Sequence, residues 1–84
     1  MSYAVDWTDD ALAALADVWT QALDRQAVTV AQVAIDRLLA ADPLGNSTPV
    51  SEGLHAIEVH PLRVLFELAE EEQVVTVVYA RALP

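Results

Sequence analysis

Arg63 and Arg81 are the side chains of this sequence best suited to hold a phosphate group, and both lie in the C-terminal stretch "HPLRVLFELAEEEQVVTVVYARALP". The chain has four basic residues, all arginine, against thirteen Asp and Glu residues, for a net charge of -9. Nucleic-acid affinity comes largely from neutralising phosphates with Lys and Arg. The overall charge therefore opposes nucleic-acid binding, and only a local basic patch could overcome it.

His55, His60 and Glu58 are the other candidate reactive groups. Strand alternation places His55 and Glu58 on opposite faces, and His60 lies in the turn before Pro61, so we expect no metal site. His55 could serve as a general base if it neighbours Arg63 on the adjacent strand. The alternative is an ordinary, half-exposed strand histidine. The sequence contains no glycine-rich phosphate loop and no Ser/His/Asp constellation, and we expect no cofactor.

The composition predicts a single folded domain over residues 1–84. The chain is 55% hydrophobic, which is too apolar for intrinsic disorder even at this charge. It has no cysteine, so packing must hold the domain together without disulfides or thiolate metal sites. The N-terminal segment lacks the features of a secretory signal, and no apolar run is long enough to span a bilayer. We therefore expect a cytoplasmic protein with no membrane partner.

The N-terminal half predicts one strand and a helical hairpin. Tyr3, Val5 and Trp7 alternate with small or acidic residues, which indicates a strand with one buried face. Thr8 is a good N-cap for a helix over residues 9–24, and Thr29 is the next plausible N-cap. The segment "RQAVT" would then be a short connector between two antiparallel helices.

Apolar spacing predicts which helix faces are buried. The first helix would bury Leu12, Leu15, Trp19 and Ala22, with Trp7 of the strand also packed in the core. The residues expected to be buried on the second helix are Val30, Val33, Ala34, Leu38 and Ala41. Asp10, Asp17 and Asp24 recur every seven residues, and we expect them on a solvated side of the first helix.

The C-terminal half predicts three strands joined by short turns. After the loop "ADPLGNSTPVSEG" come "LHAIEV", "LRVLFEL" and "EQVVTVVYARA", with three consecutive glutamates at the last turn. Short turns favour an antiparallel meander with the helical hairpin on one face and the first strand added at an edge. The predicted fold is α+β, in the order β-α-α-β-β-β.

Alternation in "LRVLFEL" points Leu62, Val64 and Phe66 at the helices and Arg63 at the open face of the sheet. The last strand is apolar on both sides, so alternation cannot orient it; regular alternation would group Tyr79 and Arg81 with Val75 and Val77. If Tyr79 and Arg81 join Arg63, the open face becomes an interaction surface. Alternatively, Arg63 forms an ordinary ion pair with Glu58 or Glu67.

The sequence resembles the RelE/ParE superfamily of bacterial type II toxins over essentially its whole length. The resemblance is carried by "YAVDWTDDALAAL", which is similar to the first strand and helix of that family, and by the hairpin that ends in "ADPLG". It is also carried by "PLRVLFEL" and "EEEQVVTVVYARAL", which are similar to an arginine-bearing strand, an acidic turn and a closing apolar strand.

The resemblance implies a compact toxin fold that binds a cognate antitoxin. RelE-like members cut messenger RNA in the ribosome, without a metal ion, and ParE-like members inhibit DNA gyrase. Cleavage needs basic side chains that stabilise a pentavalent phosphorane and a base that activates the 2'-hydroxyl. Arg63 matches the strand arginine of the family and Arg81 lies near a C-terminal one; with His55 and Tyr79 they are the candidate catalytic residues.

The sequence also departs from the family. It has no lysine, and "LHAIEV" offers one histidine where ribosome-dependent members tend to carry several basic residues. Leu83 and Pro84, which follow the predicted last strand, do not match the basic or aromatic tail that usually completes the site in the family, so we expect an incomplete site. Three hypotheses remain: a toxin neutralised by an antitoxin, an inactive member that serves as a binding module, and an unrelated enzyme on this fold. One version of the second hypothesis is a homodimer formed through the last strand.

Overall fold

A computed structural model describes residues 2–84. Its elements, in chain order, are β1 (Ala4–Trp7), α1 (Asp9–Gln21), α2 (Arg25–Ala41), β2 (Thr48–Ser51), β3 (Leu54–Val59), β4 (Leu62–Ala69) and β5 (Val74–Ala82). The five strands form one sheet in the order β1-β5-β4-β3-β2, in which β1 pairs parallel with β5 and the other pairs are antiparallel. The predicted α+β class, the meander and the edge position of β1 are confirmed.

The first helix begins as predicted, and the second does not. The backbone N–H of Ala11 donates to Oγ1 of Thr8 (3.1 Å), which caps α1. Helix α2 is capped by Asp24, whose Oδ1 accepts from the N–H of Ala27 (3.0 Å), so the prediction of Thr29 as N-cap was wrong. The Asp24 carboxylate supplies the capping oxygen, and the earlier start brings Val28 into the helix, where its side chain is buried in the core. The segment "RQAVT" is therefore the first part of α2.

The segment predicted as a continuous loop after α2 contains the strand β2. It pairs with β3 at the edge of the sheet, with Thr48 opposite Ala56 and Pro49 opposite His55. All four residues of β2 are exposed, so the strand has no buried face and no apolar alternation that could have indicated it.

The buried side of each helix agrees only in part with the predicted one. Leu15, Ala22 and Leu38 are partly buried and pack against the core, as predicted. The fully buried helix residues are Ala11, Val28, Ala31, Ile35 and Leu39, and none of them was predicted. On α2, Val30 and Val33 are 61% and 42% exposed. Helix α2 carries apolar residues on two sides, and spacing alone does not say which of them meets the sheet.

The two tryptophans have different environments. Trp7 packs against the core as predicted, and its indole Nε1 donates to Oδ1 of Asp36 on α2 (2.9 Å). Trp19 was predicted to be in the core but is 44% exposed, as is Leu12 at 48%. The Arg25 guanidinium lies over the Trp19 ring, 4.7 Å from its centroid, so this indole is stabilised by a cation–π contact at the surface.

Candidate functional site on the open face of the sheet

The helices cover one face of the sheet and leave the other face open. On β4, Leu62, Val64 and Phe66 are fully buried against the helices. Arg63, between them, points to the other face, because successive side chains of a strand alternate. The predicted orientation of this strand is confirmed.

A row of three charged residues crosses the open face. Arg63 on β4 lies opposite Glu58 on β3 and opposite Arg81 on β5. Directly opposed residues share a face, and their Cβ atoms are about 5 Å apart. The neighbouring row is Ala56, Leu65 and Tyr79, so the phenol adjoins the arginines.

An irregularity in β5 places Tyr79 and Arg81 on this face. Leu65 pairs with Tyr79 while Phe66 pairs with Val77, so Val78 is an extra residue in the ladder, a β-bulge. Regular alternation groups Tyr79 and Arg81 with Val75 and Val77, and that grouping was wrong. Val75 and Val77 are fully buried under the helices, and the bulge turns the following residues to the open side.

Arg63 and Glu58 form an ion pair, which is one of the two pairings expected from the sequence. Nη1 of Arg63 donates to Oε2 of Glu58, and the two side chains are 25% and 48% exposed. Within residues 2–84 this is the one salt bridge. The pair offsets the repulsion between the opposed Arg63 and Arg81 guanidiniums, and it leaves Arg63 less able to hold a phosphate.

Arg81 is the more accessible of the two arginines. It is exposed, and its Nη1 donates to the backbone carbonyl of Ala82 (3.3 Å). Tyr79 beside it is 47% exposed. Together they offer an anion one cationic group and one hydroxyl.

The structure separates His55 from this group. His55 lies opposite Phe66, on the helix-facing side of the sheet, and the two rings stack with centroids 5.4 Å apart and planes at 25°. The expected contact between His55 and Arg63 is therefore not formed, because the His55–Phe66 pair faces the helices whereas the Glu58–Arg63 pair faces the open side of the sheet. His60 lies in the turn between β3 and β4. Residues 2–84 contain no cluster of His, Asp and Glu that could hold a metal ion.

A second feature adjoins the open face, and the sequence did not predict it. A cleft of about 970 Å³ lies between α1 and the last residues of β5, and we call it the α1 cleft. Its lining includes Asp10, Ala13, Ala14 and Asp17 on α1 together with Tyr79 and Arg81 on β5. The available signal was the spacing of Asp10, Asp17 and Asp24, but a sequence pattern does not show what faces them.

In the part of the chain that the structure describes, no helix is long and apolar enough to cross a membrane. No protein-family model matches the sequence, and no curated protein matches it.

Solved structures of toxin–antitoxin proteins are similar to this chain. The structure of the toxin–antitoxin complex RelBE2 from Mycobacterium tuberculosis matches with a TM-score of 0.77 at 20% identity, over 98% of this chain and 99% of the other. The chromosomal ParDE system of P. aeruginosa matches with a TM-score of 0.72 at 13% identity, over 98% and 97%.

A mutant of the E. coli toxin RelE in its free state matches with a TM-score of 0.67 at 19% identity, over 98% of this chain and 84% of the other. The fold expected from the resemblance is thus confirmed along nearly the whole chain. This protein has the fold of the RelE/ParE toxins.

Proposed function

We propose that this chain is the toxin component of a type II toxin–antitoxin module and that a cognate antitoxin protein neutralises it in the cytoplasm. The observation that carries the proposal is the structural similarity to RelE and ParE proteins over 98% of the chain. In this chain Arg63 lies on β4 and Arg81 on β5, the final strand.

The charges favour a protein such as DNA gyrase over messenger RNA as the target of the toxin. An RNA-cleaving site needs several cations around the phosphate and a nearby proton acceptor. Here Arg63 is paired with Glu58, His55 lies across the sheet, and the whole chain carries -9. A protein-binding toxin does not need several cations, and the exposed Arg81 guanidinium is enough for a protein contact on the open face.

A second candidate is a binding module of the same fold that has no toxic activity. The Arg63–Glu58 ion pair favours it, because it occupies the side chain that would matter most for phosphate chemistry. In this version the exposed Tyr79 and its apolar neighbours would contact another protein. That protein could be a second copy of this chain, which would give a homodimer.

Growth of bacteria that express the chain from a tightly regulated promoter tests the proposal. Arg63→Ala and Arg81→Ala remove the two guanidiniums of the open face. Arg37→Ala is the matched control, since it removes the same charge from an exposed position on α2. We expect the wild type and Arg37→Ala to stop growth and at least one open-face variant to relieve the arrest.

Two further readouts identify the target class. Intact messenger RNA in arrested cells, with loss of DNA supercoiling activity in extracts, supports a gyrase-type target. Site-specific messenger RNA cleavage would instead support a ribosomal nuclease. Normal growth with soluble, folded protein overturns the toxin proposal and leaves the binding module.

A further inference from the structure

The α1 cleft combines an apolar floor with a rim of unbalanced negative charge. Asp10, Asp17 and Asp24 line it, against the Arg81 guanidinium and the His60 imidazole. Asp10 and Asp17 are exposed and form no salt bridge with any side chain of residues 2–84. Asp24 caps α2. The two unpaired carboxylates are therefore the available charges of the rim.

Alanine is the most frequent residue in the lining of the cleft. Alanines at positions 13, 14, 22, 27, 80 and 82 line it. Small residues allow the backbone of a docked helix to approach closely. Two large side chains on the same lining, Leu23 and Tyr79, are 107% and 47% exposed, so the cleft offers apolar surface that no other part of residues 2–84 covers.

The separation of the Asp10 and Asp17 carboxylates along α1 matches the separation of residues seven apart on a second helix. Asp10 and Asp17 lie seven residues apart on α1, which is about 10 Å along the helix axis. Basic residues seven apart on a second helix lying along α1 would have the same separation. Helix-in-groove recognition uses apolar anchors at i, i+3, i+4 and i+7, and the floor of the cleft suits such a stripe.

We propose that the α1 cleft binds an amphipathic, cationic helix of a partner protein, with apolar side chains on the alanine floor and Lys or Arg side chains against Asp10 and Asp17. A second copy of this chain is a poor occupant, since each copy carries -9 and like charges repel. Insofar as the partner is the antitoxin, this inference rests on the proposed function and adds that the docking segment of the antitoxin is basic.

The test uses three fluorescent 14-residue peptides and the full chain. The first has leucine at helical i, i+3, i+4 and i+7 positions, alanine between them, and lysines seven residues apart at the flanks. The second replaces every lysine with glutamate, and the third scrambles the first. Fluorescence anisotropy gives the affinities, and NMR amide shifts locate the site.

We expect the lysine peptide to bind at least tenfold more tightly than the other two, with shifts in α1 and the last residues of β5. Asp10→Asn with Asp17→Asn should weaken it about tenfold, since two rim charge pairs are lost. The matched control is Glu71→Gln with Glu72→Gln, which removes the same charge at the turn before β5, the far end of that strand, and should change the affinity less than twofold.

Ala13→Trp provides a variant whose effect does not depend on charge. Ala13 is exposed and lines the cleft, so the indole would fill the cleft without entering the core. We expect it to weaken peptide binding at least tenfold, with unchanged circular dichroism of the protein.

Several results would overturn the inference: tighter binding of the glutamate peptide, equal binding of the scrambled one, shifts outside the α1 cleft, or equal weakening by the Glu71/Glu72 control. A dimer that Ala13→Trp dissociates would also overturn it and would assign the cleft to a second copy. The growth assay tests the toxin proposal independently of this inference. If the peptide binds and expression is harmless, this inference stands and the toxin proposal is wrong. If growth stops and the peptide does not bind, the toxin proposal stands and this inference is wrong.

Discussion

Arg63 and Arg81 lie directly opposite each other on β4 and β5, on the face of the sheet that the helices leave open. Two like charges in this arrangement destabilise a sheet unless something offsets them. Glu58, opposite Arg63 on its other side, supplies the compensating charge. Each strand of the central meander thus contributes one member of the charged row.

Replacing Glu58 by Gln should release Arg63 from its ion pair. Both side chains are partly exposed, so we expect the free energy of unfolding to fall by less than about 1 kcal/mol. The affinity for a short single-stranded RNA should rise up to about fivefold, because a second guanidinium becomes available beside Arg81. Urea unfolding and anisotropy at fixed salt measure the two effects.

Glu67→Gln is the control for this substitution. Glu67 lies on β4 four residues from Arg63 and carries the same charge as Glu58, but it is not the ion-pair partner. An equal rise in RNA affinity for both variants would mean that only the net charge matters and not the release of Arg63.

Replacing Asp24 by Ala should destabilise the protein by about 1 kcal/mol, because the N–H of Ala27 loses its acceptor at the start of α2. Thr29, the N-cap expected from the sequence, lies inside the helix, and Thr29→Ala should change stability by less than about 0.5 kcal/mol. Denaturant unfolding of the two variants compares them. A larger loss for Thr29→Ala would place the start of α2 at residue 29.

The hydrogen bond from Trp7 to Asp36 should couple β1 to α2. A double-mutant cycle with Trp7→Phe and Asp36→Ala should give a coupling free energy of about 1 kcal/mol, the net value of such a bond. Gln32 also donates to Asp36, from Nε2 to Oδ2 at 3.2 Å, so it shares the carboxylate with the indole. The cycle of Trp7→Phe with Gln32→Ala should therefore give a smaller coupling free energy than the cycle with Asp36→Ala, because the indole bonds to Asp36 itself. An equal or larger coupling with Gln32→Ala would contradict the assignment.

Deleting Val78 should leave the protein folded. Val78 is the extra residue of the bulge, so its removal makes the ladder regular and keeps Val77 and Tyr79 on their present faces. Deleting Val64 instead puts Arg63 next to Leu65 and forces one part of β4 onto the wrong face. We expect thermal unfolding to remain cooperative in the first variant and to be lost in the second; loss in both would mean that the bulge itself is required.

The elements that the sequence predicted well are those with a strong local signal. β3 and β4 alternate apolar and polar residues and are bounded by a proline turn and an acidic turn, and Thr8 is followed by acids and an apolar helix. Each of these patterns depends on a few neighbouring residues, and the tertiary structure contains the element that each pattern predicts. One part of the candidate site could therefore be predicted: the orientation of Arg63 follows from alternation in its own strand. The placement of Tyr79 and Arg81 could not.

The features that were not predicted from the sequence lie in segments that can be packed in two ways with almost equal local free energy. Helix α2 has apolar residues on two sides, β5 is apolar on both faces, and β2 has no buried face at all. In each case the choice depends on what packs against the segment. The bulge at Val78, which places Tyr79 and Arg81, is a choice of this kind.

The sequence by itself determined the order and type of most elements, the acidic charge and the face on which Arg63 lies, because local periodicity and composition dictate these properties. Only the tertiary structure decided that Glu58 binds Arg63, that Arg81 faces Arg63, that His55 is on the other side of the sheet, and that Asp10 and Asp17 line a cleft. Those relationships join residues far apart in the chain, and strand register and helix packing create them.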